Sequence, residues 1–197
     1  MTDDTLAAQL AFVLEADQLK AVERQTTIAD RSRRENSAEH SWTLALMAIV
    51  LADAAPPEVN VDRVIKMVVL HDLVEIDAGD TFVYDDALQA GKAEREQAAA
   101  DRLFGMLPSP QGAELRALWE EFDARDTADA KFAAALDRLS PLMLNRASGG
   151  LAWKRHGIVE SQVRARNAHI AEGSLELWVA AQHIIDQAVD DGLLPDH

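Results

Sequence analysis

His71 and Asp72 stand side by side inside an apolar run, with Val68, Val69 and Leu70 before them and Leu73 and Val74 after. Ionisable groups are rarely buried in such company without a partner, and a metal cation is a suitable one. The pair alone is weak evidence, because a His-Asp dipeptide equally suits a surface hydrogen bond or a helix end. On a helix, successive residues also point about 100° apart, so both reach one ion only if it lies between their directions. With no cysteine in the chain, any metal must be held by histidine and carboxylate. Further ligands would come from other helices, and two segments offer them: Glu39-His40-Ser41-Trp42 and Leu136-Asp137-Arg138-Leu139.

The elements that must position these groups read as helices, with strand-like alternation almost absent. A first helix is expected from about Thr5 to Arg24, its apolar face formed by Leu6, Leu10, Val13, Leu14 and Val22, followed by a polar loop from Gln25 to Asn36. Ser37 is a candidate N-cap for the next helix, which places His40 in its first turn. A third helix begins after Asn60, carries Val61, Val64, Ile65, Val68 and Val69, and runs through His71, Asp72 and Glu75 to Gly79. Charged and shorter helices follow over about Asp86 to Leu107 and Gly112 to Phe122. Thr127 can cap a helix containing Phe132, Leu136, Asp137 and Leu139, and Ser174 can cap a last one reaching Gly192. These elements predict an all-α helical bundle in a single domain spanning 1–197, with its core over about 10–145 and a helical C-terminal extension over 150–192.

Lys plus Arg number 19 and Asp plus Glu 34, a net charge of -15. Such a field repels polyphosphate backbones, so no nucleic acid polymer is expected as a partner. The acidic N-terminus, and the absence of any apolar run near the ~20 residues that span a bilayer, predict no membrane partner and a cytoplasmic protein. Positive charge gathers locally at Arg24, Arg31, Arg33 and Arg34, where a solvated loop accounts for Arg31 and Arg33. His156, His169 and His183 lack paired acidic neighbours in a ligand-like pattern. Trp119, Trp153 and Trp178 lie among Leu and Ala, as core or subunit contacts do, and predict a homodimer. No glycine-rich phosphate loop, Gly-x-Ser-x-Gly elbow or cysteine nucleophile is present.

Three strings together carry a resemblance: Arg34-Glu35-Asn36-Ser37-Ala38-Glu39-His40-Ser41-Trp42, His71-Asp72-Leu73-Val74-Glu75-Ile76-Asp77-Ala78-Gly79-Asp80-Thr81, and Lys131-Phe132-Ala133-Ala134-Ala135-Leu136-Asp137-Arg138-Leu139. Over roughly Leu10 to Asn145 the chain resembles HD-domain metal-dependent phosphohydrolases of the 5'-deoxynucleotidase type. The resemblance implies an HD-domain bundle with one divalent ion per chain (Co, Mn, Fe, Zn, Ni or Mg) held by His40, His71, Asp72 and Asp137. Two imidazoles and two carboxylates would leave open positions for water and a phosphate oxygen, and a cation there would offset the repulsion between phosphate and an acidic protein. Glu75, four residues after His71, would handle the proton on a shared helix face. The resemblance further implies that Arg24 orients the substrate phosphate, for which its fork is suited, and that Asp80 and Thr81 contact the sugar or shape the site. Asp77 should face solvent. In one branch of these proteins an aromatic residue stands where this chain has Gln25.

The implied activity is hydrolysis of (deoxy)ribonucleoside 5'-monophosphates to nucleoside and phosphate. Two alternatives share the bundle: an HD phosphohydrolase acting on another nucleotide or phosphate ester, and a non-catalytic nucleotide-binding helical protein. Binuclear HD proteins, the di-iron oxygenases among them, resemble one another in placing further histidines between the His-Asp pair and the last aspartate. From Leu73 to Asp137 this chain has none, so a single ion is expected.

Overall fold

The computed structural model describes residues 3–84 and 91–196. Its helices in chain order are α1 (Asp3–Ala16), α2 (Ser37–Val50), α3 (Val61–Leu70), α4 (Glu75–Ala78), α5 (Lys92–Phe104), α6 (Gln111–Ala124), α7 (Ala128–Ala147), α8 (Leu151–His156), α9 (Glu160–Asn167), α10 (Ile170–Gly173) and α11 (Leu175–Asp190). The all-α expectation therefore holds, with one local exception. The segment read as the end of the first helix and a polar loop instead forms an antiparallel pair, β1 (Glu23–Thr27) and β2 (Arg34–Asn36), with Glu23 opposite Asn36. Helix α1 stops at Ala16 and a 3-10 turn over Asp17–Ala21 leads into β1, so Arg24 lies on a strand and not at a helix end. Of the expected charged helix, residues 86–90 lie outside the described residues.

Caps place the two helices that bear the histidines. Asn36, not Ser37, caps α2: its side chain accepts from the Glu39 amide at 2.9 Å while the Glu39 carboxylate accepts from the Asn36 amide at 3.2 Å. This reciprocal box satisfies two otherwise orphaned amides and fixes His40 one turn into the helix. Asn60 caps α3, and its own amide donates to Asp129 at 2.7 Å. Arg63 also donates to Asp129 at 3.0 Å, and it bonds Glu121. The start of α3 is thereby tied to the start of α7, which Thr127 caps as expected, and Asp137 falls midway along α7.

Two groups of buried side chains hold these helices. Leu44, Val64, Val68, Phe132, Leu136 and Ile185 belong to one, formed mainly by α2, α3, α7 and α11. Phe12, Leu70, Val74, Phe104 and Trp119 belong to the other. Full burial of each such side chain contributes roughly 1.5–3 kcal/mol. Helix α3 feeds both groups, and Leu118 packs against both, so the end of α3 sits at their seam. The expected face of α1 is wrong: Leu10, Val13 and Leu14 are exposed, and Phe12 turns inward. Trp119 and Trp153 are each 3% exposed and so belong to the core, not to a subunit contact.

Helix α10 lies directly against α7. A Cβ on Gly173 would meet the Lys131 carbonyl oxygen at 2.2 Å and Ala135 Cβ at 2.8 Å. Gly173→Ala is expected to lower stability by about 1–3 kcal/mol through overpacking. Gly157→Ala, at φ 62 with nothing within 4 Å, should cost only the left-handed backbone penalty of about 1 kcal/mol. Denaturant midpoints for the two variants check this, and equal losses would contradict the close packing of α10 on α7.

Candidate active site

The sequence places His71 and Asp72 in mid-helix; the structure ends α3 at Leu70. His71 occupies the C-cap, and the chain then tightens through bonds from the Leu73 amide to the Leu70 carbonyl and from the Glu75 amide to the Asp72 carbonyl before α4 begins at Glu75. His71, Asp72 and Glu75 are all buried. His71 Nδ1 donates to the Val68 carbonyl at 2.9 Å, which fixes the ring and turns Nε2 into the site.

Ligand atoms of His40, His71 and Asp72 all lie within 4.8 Å of one another. His71 Nε2 is 2.9 Å from Asp72 Oδ1 and 3.8 Å from Asp137 Oδ1, and His40 Nε2 is 2.9 Å from the same Asp137 oxygen. Two donors each bound about 2.1 Å from one ion would stand roughly 3.0–3.4 Å apart, and these separations bracket that value. Despite its closeness to Asp72, His71 Nε2 is a buried nitrogen without a hydrogen bond of acceptable geometry. Against burial, Asp72 and Asp137 raise the His71 imidazole to about 10, so it carries a proton in the metal-free site; a divalent ion would take that proton's place between the same carboxylates, and the donor set fits one.

Arg24 reaches the cluster from β1. Its Nη1 donates to Asp72 Oδ2 at 2.8 Å and lies 3.9 Å from Asp80 Oδ1, while its Nε is 3.6 Å from Glu35 Oε2. Burial disfavours the charged guanidinium, but Asp72, Asp80 and Glu75 outweigh it and hold Arg24 charged at any ordinary pH. Burial would likewise raise the Asp72 carboxyl; His71 and Arg24 bring its pKa down to about 2. Glu75 goes the other way. Burial first and Asp72 second push it up to about 8, against the pull of Arg24 and the bond it accepts from Ser37 Oγ at 2.7 Å.

All seven site residues expected to act together at the centre (Arg24, His40, His71, Asp72, Glu75, Asp80 and Asp137) are gathered there, and Thr81 lines the adjoining cavity of about 540 Å³. Asp77 points away, paired with Arg102. Arg33 pairs with Glu39 and Arg31 bonds the Ala147 carbonyl, both outside the cavity. Two residues the sequence reading missed also contribute. Glu35, 2% exposed, stands 3.5 Å from His40 Nδ1, and Ser37 holds Glu75. Neither carried a sequence signal, since Glu35 hides in the charged run Arg33-Arg34-Glu35 and Ser37 reads as a cap.

A helical domain that brings a histidine, a His-Asp pair and an aspartate from three helices to one buried centre defines a class, and a family profile described as an HD domain matches residues 16–178. The chain belongs to the HD-domain family. It is similar to a crystal structure of a predicted metal-dependent phosphohydrolase from Magnetospirillum magnetotacticum MS-1, at 51% identity over 98% of this chain and 100% of that one, with a TM-score of 0.92. It also aligns with the human 5'-deoxynucleotidase HDDC2 at 31% identity over 135 residues, 68% of this chain and 65% of the relative. The Xenopus laevis protein of that name is 32% identical over 135 residues, 68% of this chain and 66% of its own length. The aligned stretch thus spans slightly less than two thirds of these curated relatives.

In chelator-treated protein, Glu75 at about 8 when folded against roughly 4.3 when unfolded retains a proton that the unfolded chain has lost. A raised folded pKa stabilises below the unfolded value and ceases to do so as pH rises to the folded one. Glu75→Gln is therefore expected to reduce the fall in urea stability between about pH 5 and 8. An unchanged fall in the variant would show that Glu75 does not keep its proton.

Proposed function

We propose that the protein is a metal-dependent phosphoric monoester hydrolase, a 5'-nucleotidase converting (deoxy)ribonucleoside 5'-monophosphates to nucleoside and phosphate. The observation that carries this reading is the buried convergence of His40, His71, Asp72 and Asp137 with Arg24 and Glu75 on one cavity. The 5'-deoxynucleotidases among its relatives support it, as does the likeness to a predicted metal-dependent phosphohydrolase.

In this reading His40, His71, Asp72 and Asp137 hold one divalent ion per chain, drawn from Co, Mn, Fe, Zn, Ni and Mg. When bound, the ion supplies Lewis acidity toward a water and a phosphoryl oxygen. Glu35 orients His40 through its Nδ1 side, and the Val68 carbonyl orients His71. Arg24 presents its guanidinium to the phosphate and stabilises charge on it, held in place by Asp72, Asp80 and Glu35. Glu75, positioned by Ser37, handles the proton, within reach of the water or of the departing ester oxygen. Asp80 and Thr81 contact the sugar from the loop after α4.

The other proposals concern the whole chain. Residues 1–197 act as one HD domain, which the seam shared by the two buried groups supports. No described helix is long and apolar enough to cross a membrane; the reading adds a cytoplasmic protein, with nucleic acid polymers kept off by the net charge of -15. Exposed apolar side chains on α1 (Leu10, Val13, Leu14) and α2 (Trp42, Ile49, Val50) support a homodimer.

Phosphate release from nucleoside mono-, di- and triphosphates, assayed with each divalent ion, tests the activity. The 5'-monophosphates should be turned over, with metal content saturating near one equivalent. His71→Ala and Asp72→Ala should lose both metal and turnover. Arg24→Ala should keep the metal while losing roughly 10²-fold or more in rate. Full metal and turnover in His71→Ala would defeat the proposed site. Light scattering is expected to give twice the chain mass of 21.6 kDa, and a monomer at micromolar concentration would remove the dimer.

A further inference from the structure

Glu35 is a buried carboxylate whose place is fixed by backbone on both sides. It lies in β2, and the register that sets Glu23 against Asn36 puts it beside Arg24 of β1. Bonds from the Ile28 amide to the Arg33 carbonyl at 3.1 Å and from the Ser37 amide to the Val22 carbonyl at 3.0 Å close the hairpin on either side of it. The next residue, Asn36, caps α2 and so fixes the turn that carries His40. Strand and cap together hold Glu35 between two side chains of different duty, a metal ligand and the arginine that meets the phosphate.

Three buried polar atoms meet there without a hydrogen bond of acceptable geometry: Glu35 Oε2, His40 Nδ1 and Arg24 Nε. The same Glu35 oxygen stands 3.5 Å from His40 Nδ1 and 3.6 Å from Arg24 Nε. Buried polar groups are nearly always paired, so three that face one another just beyond bonding distance mark bonds that the filled site completes. A carboxylate oxygen can accept two bonds, and each of these nitrogens can offer one N–H. The far ends of both partners are engaged: His40 Nε2 faces Asp137 at 2.9 Å, where the ion would be held, and Arg24 Nη1 donates to Asp72 at 2.8 Å. A cation on Nε2 would fix the His40 proton on Nδ1 and make that N–H a stronger donor to Glu35. With Asp72 on Nη1 and Glu35 on Nε, the plane of the guanidinium is set, and a phosphate meets it already oriented.

We propose that Glu35 is a single positioning residue for both binding positions: in the filled site its Oε2 accepts from His40 Nδ1 and from Arg24 Nε, and so fixes the metal ligand and the phosphate arginine relative to each other. The proposal rests on the metal-dependent reading for the identity of the two positions. It goes beyond support of each alone, because one oxygen serves both, and neither His40 nor Arg24 can shift without straining the bond to the other. Asp72 and Asp80 approach Arg24 through Nη1. Among the described residues Glu35 is the carboxylate at Nε, so its loss would leave that buried N–H without an acceptor.

Calorimetry with cobalt alone, and then with inorganic phosphate added to the cobalt-saturated protein, tests this apart from turnover. Glu35→Gln keeps the side-chain volume and removes the charge. It is expected to weaken cobalt binding about 10–100-fold, and phosphate binding by the cobalt-saturated protein about 10-fold. In an Arg24→Ala background the same substitution should still weaken cobalt binding but no longer weaken phosphate binding, because its effect on phosphate passes through Arg24. Loss of only one of the two affinities in Glu35→Gln would overturn the proposal, as would an undiminished phosphate loss in the Arg24→Ala background. Magnetic resonance of zinc-loaded wild-type protein with isotopically labelled histidine decides even if a variant fails to fold: His40 Nδ1 should carry a proton slow to exchange with water, and a His40 Nδ1 without one overturns the bridge. Turnover of deoxyadenosine 5'-monophosphate, measured alongside, keeps the readings apart. Unchanged cobalt and phosphate affinities in Glu35→Gln, with turnover by the wild type, defeat the bridge alone; both losses without wild-type turnover defeat the nucleotidase alone.

Discussion

Five carboxylates, two imidazoles and one guanidinium share a space almost closed to water, and the rest of the structure answers to that fact. Glu35, Asp72, Glu75, Asp80 and Asp137 crowd within reach of Arg24, His40 and His71. An isolated buried charge costs several kcal/mol even after the protein relaxes around it. Arg24 meets part of that cost by serving three carboxylates at once, and Glu75 avoids it by retaining its proton. What remains, two carboxylates facing the His71 imidazole, is the arrangement a divalent cation completes.

Such a centre requires backbone that departs from regular helix. Were α3 to continue through Glu75, His71 and Asp72 would diverge by about 100°, each sharing a face with Glu75 but not with the other. Ending the helix at Leu70 and tightening the next turn lets His71, Asp72 and Glu75 all face inward. The β1–β2 pair does the equivalent on the opposite side. Its register sets Glu23 against Asn36, so Arg24 and Glu35 lie next to each other and the same strand leads directly into the cap that fixes His40. Clamps between Asn60, Arg63 and Asp129 align the remaining wall, because they tie the starts of α3 and α7 and so set the level at which Asp137 meets His71.

His71 and Asp72 stood out in the sequence because ionisable groups in an apolar run demand a partner, whereas His40 and Asp137 were singled out by the resemblance that the three strings carry together. The same logic found the helices, whose apolar spacing is set by local geometry. It failed where geometry is set at a distance. Glu-Arg-Gln-Thr-Thr has no apolar alternation, since this strand is stabilised by its partner and by the ion pairs at the site, and propensity yields to such context. The exposed Leu10, Val13 and Leu14 misled the assignment of the α1 face for a related reason: spacing identifies an apolar stripe without saying what it packs against.

Net charge and site charge then act on different length scales, which reconciles an acidic protein with a phosphate ligand. At physiological ionic strength an exposed charge is screened over about 8 Å, so the many surface carboxylates act weakly on a ligand already inside the cavity. Within the cavity screening is poor, and a few cations decide the sign. Arg24, set among the site carboxylates, and any cation they would hold therefore decide how the centre meets a phosphate, and the acidic exterior governs what approaches. Large polyanions meet that exterior along their whole length and are repelled. A small phosphate ester meets it only briefly, so the same charge distribution selects for size as well as for charge.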